Sequence, residues 1–106
     1  MTGPAASDDN SAQTTPAVLV REVQIVNKKG LHARASAKFV QVAEQYDATI
    51  KVTRGNETVG GTSIMGLMML AASPGTKITI AVTGNDAEEA MNALCELVAS
   101  RFGEED

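Results

Sequence analysis

The apolar residues of this chain repeat with two different periods, and the order in which those periods alternate leaves few folds open. In "VLVREVQIVN" Val23 and Ile25 alternate with polar neighbours, the period of a half-buried strand. From Ala33 to about Tyr46 the period changes. Ala35, Phe39, Val42, Ala43 and Tyr46 recur at the three- and four-residue spacing of an amphipathic helix. "ATIKVTR" and "ETVGG" flank a "GN" turn and predict a hairpin with Ile50 and Val52 on its buried side. "TSIMGLMML" predicts a short helix opened by a capping serine and closed by "SPG". In "TKITIAV" Ile78, Ile80 and Val82 alternate inward as a fourth strand. The last segment carries acids in its first turn and Ala87, Ala90, Met91, Leu94 and Val98 on one stripe, a long helix. The resulting order is βαββαβα. At this size it predicts an α+β open-faced sandwich, a four-stranded antiparallel sheet covered on one face by three helices.

The core of such a sandwich must be aliphatic here, because Trp is absent and Tyr46, Phe39 and Phe102 are the only aromatics. Residues 1–17, "MTGPAASDDNSAQTTPA", hold no bulky hydrophobe after Met1 and are expected to form a disordered tail, since they bury too little to offset their ordering entropy. That leaves one domain over 18–103 and an acidic end, 104–106. No apolar run reaches the ~20 residues of a membrane span, and the N-terminus lacks the basic and apolar regions of a secretory signal. The single cysteine, Cys95, has no disulfide partner within the chain and falls in the last helical pattern, as a buried small hydrophobe would. A cytoplasmic protein fits.

Charge is distributed unevenly. Between Arg21 and Arg54 there are seven basic and three acidic residues; from Gly55 onward Lys77 and Arg101 face eight acids. The overall net charge of −4 and the scarcity of aromatics argue against nucleic acid, whereas a local basic face suits an anionic partner or a phosphate.

The one histidine, His32, lies in that basic half, at a strand-to-helix junction in "KKGLHARASAKF". The opening amides of a helix have no internal partners and carry a partial positive charge, which makes the helix start a site for anions. Gly30 allows a tight turn before it. The positive helix end favours the neutral imidazole, a nucleophile, and Arg34 can hold phosphoryl oxygens with bidentate hydrogen bonds. Taken alone, a histidine at a helix start is more often an ordinary cap or surface residue. A metal site is disfavoured, because one His and one distant Cys do not make a ligand set, and no serine-nucleophile motif is present.

"GLHARASAKFV" followed about thirty residues later by "TSIMGLMML" resembles the HPr family, the histidine-containing phosphocarriers of the bacterial phosphoenolpyruvate-dependent phosphotransferase system. The resemblance extends from about Val20 to Phe102. It implies the same βαββαβα sandwich and a phosphoryl carrier rather than an enzyme with its own turnover, needing no metal or other cofactor. His32 is then the phosphoacceptor, phosphorylated by enzyme I at the ring nitrogen nearer the backbone, and Arg34 stabilises the phosphoryl group. Enzyme IIA is the implied recipient. Ser63 falls where many members carry a serine phosphorylated by HPr kinase/phosphorylase. Ile64 and Met65 match the apolar docking pair, and Ala37 and Met68 are expected to join that surface. A monomer is expected. The tail and "SIMGLMML" suggest a nitrogen-regulatory branch. One departure stands out: Ala35 replaces the usual proline after the arginine, which leaves the helix intact, since alanine is the best helix former, and bears on the placement of Arg34.

Ser63 also reads as a helix cap without any modification. Two rival functions compete with the carrier. One is a regulatory binding module acting mainly through Ser63 and docking; the other is a small hydrolase or transferase with His32 as base, which lacks a second catalytic group nearby.

Overall fold

The alternation of periods is realised almost as read. The computed structural model describes residues 18–104, in the order β1 (Leu19–Gln24), α1 (Ala33–Ala43), β2 (Thr49–Arg54), β3 (Glu57–Gly60), α2 (Ile64–Met69), β4 (Lys77–Thr83) and α3 (Ala87–Ala99), followed by a turn at Arg101–Gly103. The expected tail, 1–17, and the last two residues of the acidic end lie outside the described residues. The strands form one antiparallel sheet in the order β1-β4-β2-β3. Val23 is paired with Ile78, Val52 with both Ile80 and Val59, and Arg54 with Glu57. The last pair leaves a two-residue hairpin loop that opens on Gly55 at φ +62°, a value glycine reaches without steric cost.

Because side chains alternate along a strand, one face of the sheet is apolar. Ile50 and Val52 of β2 and Ile78, Ile80 and Val82 of β4 are buried, while Lys51 and Lys77 are exposed. All three helices lie over that face. Helix α3 packs on β1 and β4 through Ala90, Met91, Leu94 and Val98, the stripe its sequence predicts. Helix α1 packs against α2 and α3, burying Ala35, Phe39, Val40 and Ala43. Ser36 joins them although polar, its hydroxyl donating to Leu31 O at 3.3 Å. Cys95 is half-buried.

One detail departs from the sequence reading. Helix α1 ends at Ala43 rather than near Tyr46, because the amides of Gln45 and Tyr46 tighten onto the carbonyls of Val42 and Ala43. Asp47 N–H is then taken by the Asp86 carboxylate at 2.8 Å. Helix α2 leaves all three of its methionines outside, in agreement with the docking surface expected of Met65 and Met68. Leu67 and the capping Leu70 are buried, whereas Ile64, Met65, Met68 and Met69 are exposed, Met65 by 69% and Met69 by 72%.

The loop between β1 and α1 is held by the segment that joins α2 to β4. Leu31 N–H donates to Ala72 O at 2.9 Å, and Gly30 sits at φ +69° with its Cα against the same carbonyl. A methyl group there would lie 2.4 Å from Ala72 O, so only glycine fits. After α3, Arg101, Phe102 and Gly103 all take positive φ (62°, 55° and 73°). A left-handed conformation costs an ordinary residue about 1–2 kcal/mol. Complete burial of the Phe102 ring, worth about 2–3 kcal/mol, offsets much of that. The turn brings the chain end back across the start of α1.

Candidate functional site

His32 is the N-cap of α1. Its backbone is extended (φ −80°, ψ −176°), its carbonyl accepts the first helical hydrogen bond from Ser36 N–H at 2.8 Å, and its ring Nδ1 accepts from Arg34 N–H at 3.3 Å. An imidazole in the place usually taken by Ser, Thr, Asp or Asn turns one ring nitrogen towards the opening amides of the helix. The helix begins at Ala33 and Ala35 is fully buried in it, so alanine in the usual proline position leaves the helix start in place.

The second ring nitrogen is engaged from the far end of the chain. Nε2 lies 2.5 Å from Glu104 Oε2, with the two side chains 27% and 15% exposed. Asn27 Nδ2 donates to Glu104 Oε1 at 3.0 Å and to Gly30 O at 2.9 Å. Asn27 is fully buried, and its Oδ1 has no partner among the described residues, so the two donated bonds set the amide's orientation. Lys38 Nζ donates to Phe102 O at 2.6 Å, pinning the turn that carries Glu104. Desolvation pushes the Glu104 carboxyl upward. The hydrogen bonds from Asn27 and His32 and the charges of His32 and Lys38 outweigh it and hold the group below the usual carboxylate range.

Around this pair runs an open cleft of about 590 Å³ whose lining includes Lys28, Lys29, Arg34 and Lys38. Arg34 is exposed and enters no salt bridge among the described residues. Four cationic side chains thus line the cleft beside the imidazole and the Glu104 carboxylate, and the start of a helix together with an arginine is chemistry suited to an anion. Among the described residues there is no group of three or more His, Cys, Asp or Glu that could hold a metal ion.

The other expected site residues lie on α2 and α1. Ser63 is the N-cap of α2, exposed, with its Oγ accepting from Gly66 N–H at 2.9 Å. Ile64, Met65 and Met68 form an exposed apolar patch just beyond it. Ala37 is half-buried on α1, the helix against which α2 packs. Sequence reasoning passed over Asn27 and Glu104. It set residue 104 apart in an acidic end, whereas Glu104 touches the histidine. The "NKKG" turn carried a faint signal for Asn27; nothing near Glu104 in sequence points to a partner 72 positions away.

Comparison with known proteins agrees with this geometry. Residues 19–100 match the family described as PTS HPr component phosphorylation site. The phosphocarrier protein HPr of Neisseria meningitidis serogroup A is 51% identical over 87 residues, covering 82% of this chain and 98% of that protein. The phosphocarrier protein NPr of Shewanella violacea is 42% identical over 86 residues, 81% of this chain and 94% of that one. Among solved structures, HPr of Thermoanaerobacter tengcongensis superposes with a TM-score of 0.79 at 43% identity, over 83% of this chain and 99% of its own. With the sandwich, the cationic cleft and the capping histidine all in place, the chain belongs to the HPr family of phosphotransferase-system phosphocarriers.

Proposed function

We propose that this phosphocarrier receives its phosphoryl group from phosphorylated enzyme I on Nδ1 of His32 and delivers it to an enzyme IIA-type protein in the cytoplasm. The observation that carries the reading is the direction of Nδ1 towards the Arg34 amide at the start of α1, within a cleft lined by Lys28, Lys29, Arg34 and Lys38. A phosphoryl group on that nitrogen would stand at the opening amides of α1 and beside the Arg34 guanidinium, the donors best suited to its oxygens. The protein is the carrier of the group, acting as a monomer with no cofactor of its own.

The exposed patch of Ile64, Met65 and Met68 on α2, with Ala37 on the neighbouring helix, is the surface on which both partners dock. Methionine suits a surface that must fit more than one protein. Ser63 borders this patch with its hydroxyl exposed, so its phosphorylation by an HPr kinase/phosphorylase would place a dianion at the docking edge. A nitrogen-regulatory acceptor is supported by the 42% identity to a protein named NPr.

The test is incubation with enzyme I and labelled phosphoenolpyruvate. Label that is acid-labile, alkali-stable and absent from His32→Ala is the expected result. Label retained by His32→Ala at the normal rate would refute the assignment.

A further inference from the structure

Imidazole has two nitrogens that can attack phosphorus, and here they are treated very differently. Nδ1 faces a backbone amide, accepting from Arg34 N–H at 3.3 Å. Nε2 is covered by Glu104 Oε2 at 2.5 Å. An ionised carboxylate accepts hydrogen bonds and donates none. The proton of the neutral ring therefore sits on Nε2, and the free electron pair is left on Nδ1.

Glu104 is held in that place from three sides. Asn27 donates to its Oε1, and Asn27 is itself fully buried and tied to Gly30 O. Lys38 grips the carbonyl of Phe102, two residues before it, and the Phe102 ring is anchored in the core. The groups facing the carboxylate are the His32 ring and the Lys38 ammonium, with Lys28, Lys29 and Arg34 lining the same cleft.

We propose that Glu104 is a positioning residue that selects Nδ1 over Nε2 as the phosphoryl acceptor, by fixing the Nε2–H tautomer and covering that edge of the ring. The inference rests on the reading of His32 as phosphoacceptor. In the transfer step the Nδ1 electron pair attacks phosphorus and an N–P bond forms. The bond from phosphorus to the donor's leaving group breaks, and its electron pair departs with that group. The ring keeps the Nε2 proton and becomes a cation, with the Glu104 carboxylate as counter-ion. Onward transfer reverses these changes and restores the same neutral tautomer. Without the carboxylate, Nε2 is the less crowded nitrogen and competes.

Phosphoramidate tests this on the full chain without any partner protein. It phosphorylates imidazole directly, with ammonia leaving as the P–N bond breaks. The readouts are the ratio of Nδ1- to Nε2-phosphohistidine and the ¹⁵N shifts of the His32 ring, for wild type, Glu104→Gln and Glu104→Ala, with thermal unfolding run on each. Wild type is expected to give chiefly the Nδ1 product and a protonated Nε2. Both variants, still folded, are expected to shift severalfold towards the Nε2 product and to show a mixed tautomer. A wild-type ratio and wild-type ring shifts in both variants would overturn the role of Glu104, even if the variants lost stability. Failure of wild type to take label on His32 from either phosphoramidate or enzyme I would instead overturn the acceptor reading, and this inference with it.

Discussion

Alanine at Gly30 should be among the most damaging small changes in the molecule, and the reason is a single carbonyl. Gly30 sits at φ +69°, where a methyl group would stand 2.4 Å from Ala72 O and 3.1 Å from Ser73 Cα. Both are backbone atoms, so neither can swing away as a side chain would. Left-handed alanine costs about 1–2 kcal/mol, and the forced shift of packed backbone about 1–3 kcal/mol more. The reduced freedom of the unfolded chain returns about 0.4–1 kcal/mol, for a net loss centred on ~3 kcal/mol. In a domain of this size that is a fall in midpoint of roughly 12–24 °C. Gly55 supplies the control, for it has a similar φ of +62° and a methyl added there would meet nothing within 4 Å. Gly55→Ala should cost only the conformational part, about 1 kcal/mol. Thermal and urea unfolding of the two variants isolates the contact. Because Ala72 O also accepts from Leu31 N–H, beside His32, Gly30→Ala should slow phosphorylation of His32 as well. Equal destabilisation of the two variants would refute the argument, since it would mean that Gly30 does not pack on Ala72.

Ser63→Asp should keep α2 folded, because aspartate also caps helices, yet slow phosphorylation of His32 by enzyme I, with the defect shrinking as salt rises. Met65→Ala should slow the same reaction with little salt dependence, and rates at low and high ionic strength separate the two. Glu104 lies below the usual carboxylate range, so its contribution to stability is present above the unfolded value of about 4.3 and is lost as pH falls through the lower folded value. The difference in midpoint between wild type and Glu104→Gln should accordingly shrink on acidification through that window; a difference constant across it would contradict the pairing with His32 and Lys38. Ala71, at φ +52° just after α2, is an exposed left-handed alanine. Ala71→Gly should stabilise the domain by about 0.5–1 kcal/mol, and a lower urea midpoint would count against strain at that position.

Local pattern was enough for most of the architecture. The stripe on α3, the alternation of Ile78, Ile80 and Val82, and the hairpin at Gly55 are short-range features, each written within one element and each realised. His32 was legible for the same reason, since a helix start and its amides are local, and Ser63 as the cap of α2 likewise. Where neighbours decide, the pattern fell short. Helix α1 stops at Ala43, where Gln45 and Tyr46 tighten onto Val42 and Ala43, and Asp86, on the loop before α3, holds the amide of Asp47 that follows. The outward methionines of α2, by contrast, agree with the docking surface expected of Met65 and Met68, since the one buried side of a six-residue helix is filled by Leu67, with Leu70 behind it. The pairing of Glu104 with His32 required a left-handed turn, an anchoring phenylalanine and a lysine on another helix to act together. A contact across 72 residues leaves no periodic trace, so the sequence by itself determined the elements and the histidine at the start of α1, while only the tertiary structure decided which of its two nitrogens is covered.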